Sequence, residues 1–142
     1  MRISTKSRHA ITSMLELALQ NQPMKLSMIS DNNGISLSYL EQIFASLRLK
    51  GLVRGQRGPG GGYVLGKPAA EISIADIISA VDEWVEYAFS KPKMYVSASP
   101  ALTTQTLWND LSHQIYDFLD TTSLADILAN CSDYQDLLDE AA

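Results

Sequence analysis

Cysteine is nearly absent from this sequence. Of its 142 residues only Cys131 carries a thiol, which excludes a framework of internal disulfides and favours a reducing compartment such as the cytoplasm. No run of about 18 apolar residues is present, so the sequence predicts no transmembrane helix. The N-terminus has no apolar signal core either, and we expect no secretion signal.

Recognisable catalytic motifs are also missing. The sequence shows no nucleophile–base pair and no spacing of metal ligands. The glycine-rich segment 58–62 lacks the strand-to-helix context and the Lys-Ser or Lys-Thr of a phosphate-binding loop. From these missing motifs we expect that the protein is not an enzyme. The apolar content of 46% is normal for globular proteins, so we expect a folded chain.

The charges are divided unevenly along the chain. Residues 1–67 contain nine Lys or Arg and three acidic residues, a net +6. Residues 68–142 contain two Lys and thirteen acidic residues, a net −11, and the two halves together give the −5 of the whole chain. This asymmetry indicates a basic binding surface on the first half and a solvated acidic second half. The alternative interpretation is chance clustering of surface charges.

Helical spacing of apolar residues predicts a helix over 5–20 and a short helix capped by Ser27. Ser36 or Ser38 then caps a third helix, because Ser is a favoured residue at that position. Ser38 and Glu41 also have the spacing of a capping box. The buried stripe of the third helix is predicted to comprise Leu37, Leu40, Phe44 and Leu47.

A β-hairpin is predicted next, with strands over 52–57 and 63–65. The Gly-Pro-Gly-Gly-Gly segment between them suits a loop in which positive φ angles cost little, and Arg57 stands at its edge. Ser73 is predicted to cap a fourth helix that ends at Ala80. A recognition helix followed by a basic, glycine-rich hairpin is the layout of a winged helix-turn-helix, which binds double-stranded DNA.

Three regions follow from this pattern. Residues 1–82 are predicted to form the winged helix-turn-helix DNA-binding domain and residues 83–101 an irregular loop. Residues 102–142 are predicted to contain a dimerisation helix over 102–120 and a short helix from Ser123. The predicted fold class is therefore mainly α with a small β-hairpin wing, plus a long C-terminal dimerisation helix.

The long helix carries an apolar stripe that needs a covering surface. A winged-helix domain already buries its own core, so we expect a second copy of the chain to cover the apolar stripe of the long helix. A protein that binds a two-fold symmetric DNA site must also be a dimer. The alternative is that the helix folds back on its own domain. The predicted interface comprises Leu107, Trp108, Leu111, Ile115, Phe118 and Leu119.

Short polar side chains at the start of the third helix are the candidates for reading bases, because a recognition helix contacts bases mainly through its N-terminal residues. These candidates are Ser36, Ser38, Tyr39 and Gln42. Gln can bind adenine through two hydrogen bonds, Ser can serve any base, and a Tyr hydroxyl can reach a phosphate. Glu41 repels phosphate, so it either accepts from a cytosine amino group or only caps the helix.

Arginine and lysine are the candidates for the DNA backbone and the minor groove. Arg57 is expected to enter the minor groove, where the negative potential is concentrated. Each of the other basic residues, taken alone, is explained as a solvated surface charge. Together they predict that DNA binding weakens steeply as the salt concentration rises. The candidates for phosphate contact are Arg2, Lys6, Arg8, Arg48, Lys50 and Arg54.

Much of the chain resembles the iron–sulfur cluster regulator family, the IscR-like winged-helix repressors. The similar segments are residues 1–10, 34–42, 47–53, 57–67, 77–82 and 107–111. The resemblance implies a homodimeric transcription regulator with its long helix in the dimer interface. It further implies that the four candidates on the third helix read the major groove, that Arg57 enters the minor groove and that Glu41 tunes the class of site accepted.

The chain departs from this family at the cofactor. Cluster-sensing members carry three cysteines and a histidine between the fourth helix and the long helix, whereas residues 90–108 contain neither Cys nor His. The family's last cysteine would fall near Ala101, and its histidine near Thr104 or Gln105. Because iron–sulfur clusters require thiolate-rich ligation, we predict no cluster and no other cofactor. The cysteines are either naturally absent or were removed, and the lack of a remnant pattern favours the former.

Two other possibilities stay open at this point. The acidic half and the loop at 88–101 would dock a partner enzyme or a small molecule that controls DNA binding, as in some cluster-free relatives of this broad family. In the other possibility, Cys131 would bind a metal or cluster across a dimer.

Overall fold

Helices and one hairpin make up the described part of the protein. The computed structural model describes residues 3–20, 22–82 and 100–130. In chain order its elements are α1 (Thr5–Leu19), α2 (Leu26–Asn33), α3 (Leu37–Leu49), β1 (Val53–Gln56), β2 (Gly62–Leu65), a short 3-10 helix (Ala69–Glu71), α4 (Ile74–Val81), α5 (Pro100–Thr121) and α6 over 124–130. The prediction of a mainly α fold with a small β-hairpin is confirmed.

Helices α1, α3 and α4 share one hydrophobic core. Helix α1 begins where the hydroxyl of Ser4 accepts a hydrogen bond from the N–H of Ser7 at 3.1 Å. Met14 of α1, Phe44 of α3 and Ile77 of α4 are all fully buried. Burying a side chain of this size stabilises a fold by roughly 1.5–3 kcal/mol. The core therefore holds α3 on a well-packed base.

The second helix begins at a different residue from the one predicted, and its C-terminal end is hydrogen-bonded to α1. It begins one residue before Ser27, so Ser27 lies inside the helix, and no side chain caps its N-terminus. At its C-terminus Gly34 adopts a left-handed φ of 65°, which favours glycine. The side-chain amides of Asn32 and Asn33 donate to the carboxylate of Glu16 on α1. The turn that leads into α3 is therefore attached to α1.

The hairpin is antiparallel, with Gln56 opposite Gly62, and the predicted wing is confirmed. A third segment joins it from the connection between α1 and α2. The N–H of Tyr63 donates to the carbonyl of Met24 at 2.7 Å, and the N–H of Met24 donates to the carbonyl of Tyr63 at 3.0 Å. The wing is thus hydrogen-bonded to the helix-turn-helix that it flanks.

Gly62 permits this close approach. A Cβ atom at Gly62 would lie 2.4 Å from both the carbonyl carbon and the carbonyl oxygen of Met24. On the neighbouring residue, the ring of Tyr63 meets the ring of Phe44 edge-on, with 5.0 Å between centroids. Strand β2 therefore packs against α3 and against the Met24 segment at once.

Helix α6 is fastened to α4 by backbone hydrogen bonds. The N–H of Ile74 donates to the carbonyl of Thr122 at 2.9 Å, and the N–H of Leu124 donates to the carbonyl of Ile72 at 2.8 Å. Leu124 is completely buried in the common core. The C-terminal helices therefore belong to the same folded unit as the winged helix. Helix α5 begins at Pro100, two residues before its predicted start, and residues 83–99 of the predicted loop lie outside the described residues.

A repeated sequence pattern underlies this contact. Residues 73–78 read Ser-Ile-Ala-Asp-Ile-Ile, and residues 123–128 read Ser-Leu-Ala-Asp-Ile-Leu. In each copy the Ser hydroxyl accepts from the Asp N–H and the Asp carboxylate accepts from the Ser N–H, which is a capping box. The two capped helix starts face each other as an antiparallel bridge between Ser73 and Ser123.

Candidate nucleic-acid interface

Ser36 determines where the recognition helix α3 begins. Its backbone is extended, and its hydroxyl accepts a hydrogen bond from the N–H of Tyr39 at 3.2 Å. Ser38, the alternative cap, lies within the helix, so that prediction is wrong. The capping box between Ser38 and Glu41 is also wrong, because the residue three positions after the true cap is Tyr39, whose side chain cannot complete it. The side chain of Glu41 is exposed.

The buried stripe of α3 is shifted relative to its prediction. Leu40, Phe44 and Leu47 are fully buried as predicted, and Ile43 joins them. Leu37, which was predicted to belong to the stripe, is 43% exposed. At 3.6 residues per turn, Ile43 lies nearer the centre of the buried face, whereas Leu37 lies at its edge on the first turn.

The exposed side of α3 carries the polar residues that the sequence predicts as base readers. Ser36, Ser38 and Gln42 are all exposed, and the hydroxyls of Ser36 and Ser38 lie 3.3 Å apart. Ser38 and Gln42 are separated by four residues and therefore share one face of the helix. The fold thus brings hydroxyl and amide groups together on a surface that can donate to and accept from base edges.

Tyr39 is positioned by a residue that the sequence analysis missed. Its side chain is half-buried, and its ring meets the ring of His9 on α1 edge-on, with 5.9 Å between centroids and 89° between planes. Such aromatic pairs contribute about 0.5–1.5 kcal/mol beyond their burial. The contact sets the orientation of Tyr39 from a different helix. A single histidine in an amphipathic helix carries no sequence signal of such a role.

Arg57 lies at the tip of the wing, as predicted. It follows directly after β1 and is exposed. The loop beyond it turns through two glycines in the left-handed region, Gly58 at a φ of 100° and Gly60 at a φ of 75°. The N–H of Gly61 donates to the carbonyl of Gly58 at 2.9 Å, which closes a tight turn. The wing therefore presents one guanidinium at the start of a compact glycine loop.

Further cations lie on α3 itself and on the elements that contact it. They come from α1, from the end of α3 and from β1, and such charges can contact phosphates on either side of a groove. Arg2 lies outside the described residues, and Lys6 is half-buried. The exposed members are Arg8, Arg48, Lys50 and Arg54.

Helix α5 has two different sides. Leu119, predicted to lie in the dimer interface, instead packs with Tyr116 against the core of its own chain, and Ile115 is half-buried. Four other apolar side chains of the helix are exposed, with exposed fractions of 58%, 55%, 45% and 66% at Leu107, Trp108, Leu111 and Phe118. Folding back on the domain thus accounts for only part of the apolar pattern of α5.

Among the helices that the structure describes, none combines the length and the apolar character that a membrane span requires.

The residues present do not fit an iron–sulfur cluster at the position expected from the resemblance. The whole chain has one cysteine, and residues 90–108 have neither Cys nor His. Hydroxyl and amide side chains such as those of Thr104 and Gln105 do not replace thiolates. Within the part of the chain that the structure describes, no group of three or more His, Cys, Asp or Glu side chains is placed to hold a metal ion.

Known proteins similar to this chain are transcription regulators. The IscR HTH-type transcriptional regulator of Serratia proteamaculans is 48% identical over 132 residues, which cover 92% of this chain and 80% of that protein. The structure of CymR, the global cysteine regulator of B. subtilis, matches with a TM-score of 0.77 and 35% identity over 92% of this chain and 98% of that one. IscR of T. potens matches with a TM-score of 0.78 and 31% identity over 95% of this chain and 91% of that one.

The family assignment follows from a match over almost the whole chain. The profile of the family described as "Rrf2: Iron-dependent Transcriptional regulator" matches residues 3–130. That range includes the recognition helix, the wing and both C-terminal helices. The chain therefore belongs to the Rrf2 family and is a DNA-binding transcription regulator with a winged helix-turn-helix.

Proposed function

We propose that the protein binds a roughly palindromic operator as a homodimer and represses transcription from the cytoplasm. In each half-site α3 enters the major groove and Arg57 enters the minor groove. The observation that supports this arrangement best is the exposed polar start of α3, with Ser38 and Gln42 on one face and exposed cations on the adjoining elements. Base-reading groups flanked by phosphate-binding cations are what a duplex requires.

Each proposed contact on α3 has a chemical reason. Gln42 binds adenine through two hydrogen bonds, and Ser36 and Ser38 donate to or accept from a base edge. Tyr39, oriented by its ring contact, reaches a phosphate. Glu41 accepts from the amino group of a cytosine and penalises sites that lack one, because its carboxylate repels the phosphates around it.

The uncovered side of α5 supports the homodimer. Its four exposed apolar residues form one stripe, which a second copy of the chain covers across a two-fold axis. A two-fold dimer reads two half-sites whose centres lie about one helical turn, roughly 10.5 base pairs, or a multiple of it apart. The operator is therefore a palindrome with that spacing.

Gln42→Ala is expected to separate sequence reading from general DNA affinity. It should weaken binding to the operator by about 2 kcal/mol per half-site and leave binding to a random duplex unchanged, because only base contacts are lost. Lys6→Ala should weaken binding to both duplexes and lower the salt slope by about two, because it removes one phosphate contact from each subunit of the proposed dimer. Fluorescence anisotropy titrations at several salt concentrations measure both effects.

Gln20→Ala is the matched control, since Gln20 is an exposed glutamine at the end of α1. It should bind both duplexes as the native protein does. An equal loss on operator and random DNA for Gln42→Ala would show that α3 does not read bases through this residue.

We further propose that DNA binding is independent of an iron–sulfur cluster, on the strength of the missing thiolates. Protein purified anaerobically from the native sequence should be colourless, should lack stoichiometric iron and sulfide, and should still bind the operator. Cys131→Ser should leave that affinity unchanged. Iron and sulfide in stoichiometric amounts, with a visible absorption band, would contradict the proposal.

A second candidate is control of DNA binding by a partner enzyme or a small molecule. The net charge of −11 on residues 68–142 offers a docking surface for a cationic partner, and a structurally similar protein is named a global cysteine regulator. Affinity purification of the chain from native extracts, grown under several nutrient conditions, tests this candidate. A co-purified protein that shifts operator affinity supports it, whereas a dimer that is isolated alone under every condition contradicts it.

A further inference from the structure

Leu37 is a large apolar side chain exposed among polar ones. It occupies the first position of α3, directly between Ser36 and Ser38, and 43% of its surface is exposed. The exposed apolar residues of α5 are accounted for by a second subunit, but Leu37 lies on a different element. It belongs to the part of α3 that the proposed function places in the major groove.

The cap fixes the direction of this side chain. The hydroxyl of Ser36 holds the N–H of Tyr39, and the carbonyl of Ser36 accepts from the N–H of Leu40 at 3.0 Å, so the first turn of α3 is closed. Glu41 follows Leu37 by four residues and lies on the same side of the helix. Both side chains are exposed. Together Leu37 and Glu41 form one edge of the base-reading surface.

The chemistry of the major groove leaves one partner for a leucine there. Every base edge in that groove presents hydrogen-bond donors or acceptors, and thymine alone adds a methyl group, at C5. Contact between Leu37 and that methyl releases water from two apolar surfaces. Contact with a donor or acceptor would instead remove a polar group from water without a hydrogen bond.

We infer that Leu37 determines specificity by contacting the 5-methyl group of a thymine in each half-site. This inference rests on the proposed function, because it requires α3 in the major groove. One helical turn rises about 5.4 Å, and stacked bases are about 3.4 Å apart. The thymine that Leu37 contacts therefore lies one or two positions from the cytosine that Glu41 contacts, and the two residues together read pyrimidines.

Replacement of thymine by deoxyuridine tests this inference, since it removes only the methyl group. The probe is an operator duplex selected with the full-length native dimer from a random pool, with each thymine replaced in turn. One position per half-site should weaken binding about four-fold, or about fifteen-fold when both half-sites are changed. Leu37→Ala should bind thymine and deoxyuridine operators equally. Leu49→Ala, which alters a leucine 88% exposed at the other end of α3, should retain the native sensitivity.

Three results would overturn the inference. The native dimer would be insensitive to every deoxyuridine replacement, or Leu37→Ala would keep the native sensitivity at the same position. In the third, Leu37→Ala would be monomeric by sedimentation, which would place Leu37 in a contact between copies. Failure of the proposed function itself is distinguishable, because Gln42→Ala would then lose no sequence preference.

Discussion

Leu111→Asp is expected to dissociate the proposed dimer and to lower operator affinity about 100- to 10,000-fold. Leu111 lies between Leu107 and Phe118 on the uncovered stripe of α5 and is 45% exposed in the single chain. A carboxylate pressed against a second apolar stripe loses its hydration without gaining a partner, so association fails. The loss of DNA affinity follows because a dimer binds its second half-site at a high effective concentration, and a monomer does not.

His113→Asp is the matched control for this change. His113 is exposed on α5 and lies away from the apolar stripe, so the same carboxylate should leave both association and DNA binding intact. Sedimentation velocity measures the oligomeric state, anisotropy measures operator affinity, and thermal unfolding verifies that both variants fold. If Leu111→Asp stays dimeric, the interface lies elsewhere. If it is monomeric and still binds with native affinity, a single chain suffices for operator recognition.

Gly62→Ala is expected to lower the free energy of unfolding by about 3 kcal/mol, near the upper end for a side chain forced into a filled space. The added Cβ would lie 2.4 Å from two backbone atoms of Met24 and 2.9 Å from the nitrogen of Lys25. Backbone atoms cannot rotate away as a flexible side chain can. Relief requires β2 to separate from the Met24 segment, which moves the wing that carries Arg57. Operator affinity should therefore fall together with stability.

Gly55→Ala separates this effect from a general cost of replacing glycine in the wing. Gly55 lies in β1, and nothing is within 4 Å of a Cβ added there. Urea unfolding followed by circular dichroism should give nearly native stability for Gly55→Ala and a clear decrease for Gly62→Ala. Equal stability of the two variants would mean that the bridge between Met24 and Tyr63 contributes little to holding the wing.

Elements with strong local signals could be predicted from the sequence. The amphipathic pattern of α1, the Ser73 cap of α4 and the glycine-rich loop after Arg57 each specify their structure through contacts within a few residues. The family resemblance rests on the same segments, and the family match extends it over residues 3–130. Local chemistry was sufficient for the fold class and for the exposed positions of Ser38 and Gln42.

Features that depend on a distant partner could not be predicted. The bridge from Met24 to the wing involves a single residue outside the hairpin, so it produces no periodic pattern in the sequence. Leu37 fits a helical stripe by spacing, yet the direction of the core, set by α1 and α4, favours Ile43. Leu119 belongs to the apolar pattern of the long helix, but its side chain packs against the core of its own chain. In each case tertiary packing decided between positions that the sequence pattern treats as equivalent.

The bridge between Ser73 and Ser123 has a consequence for how the protein unfolds. Leu124 is buried in the common core, and its N–H donates to the carbonyl of Ile72, just before α4. The first turn of α6 therefore cannot unfold without opening the start of α4. Helix α5 is continuous with this junction, so the exposed stripe that we propose meets a second subunit and the side chains of α5 that pack against the core belong to one cooperative unit. In the proposed dimer, the free energy gained on association therefore stabilises the whole unit against opening. Association at α5 is expected to protect the buried amide hydrogens of α1 from exchange.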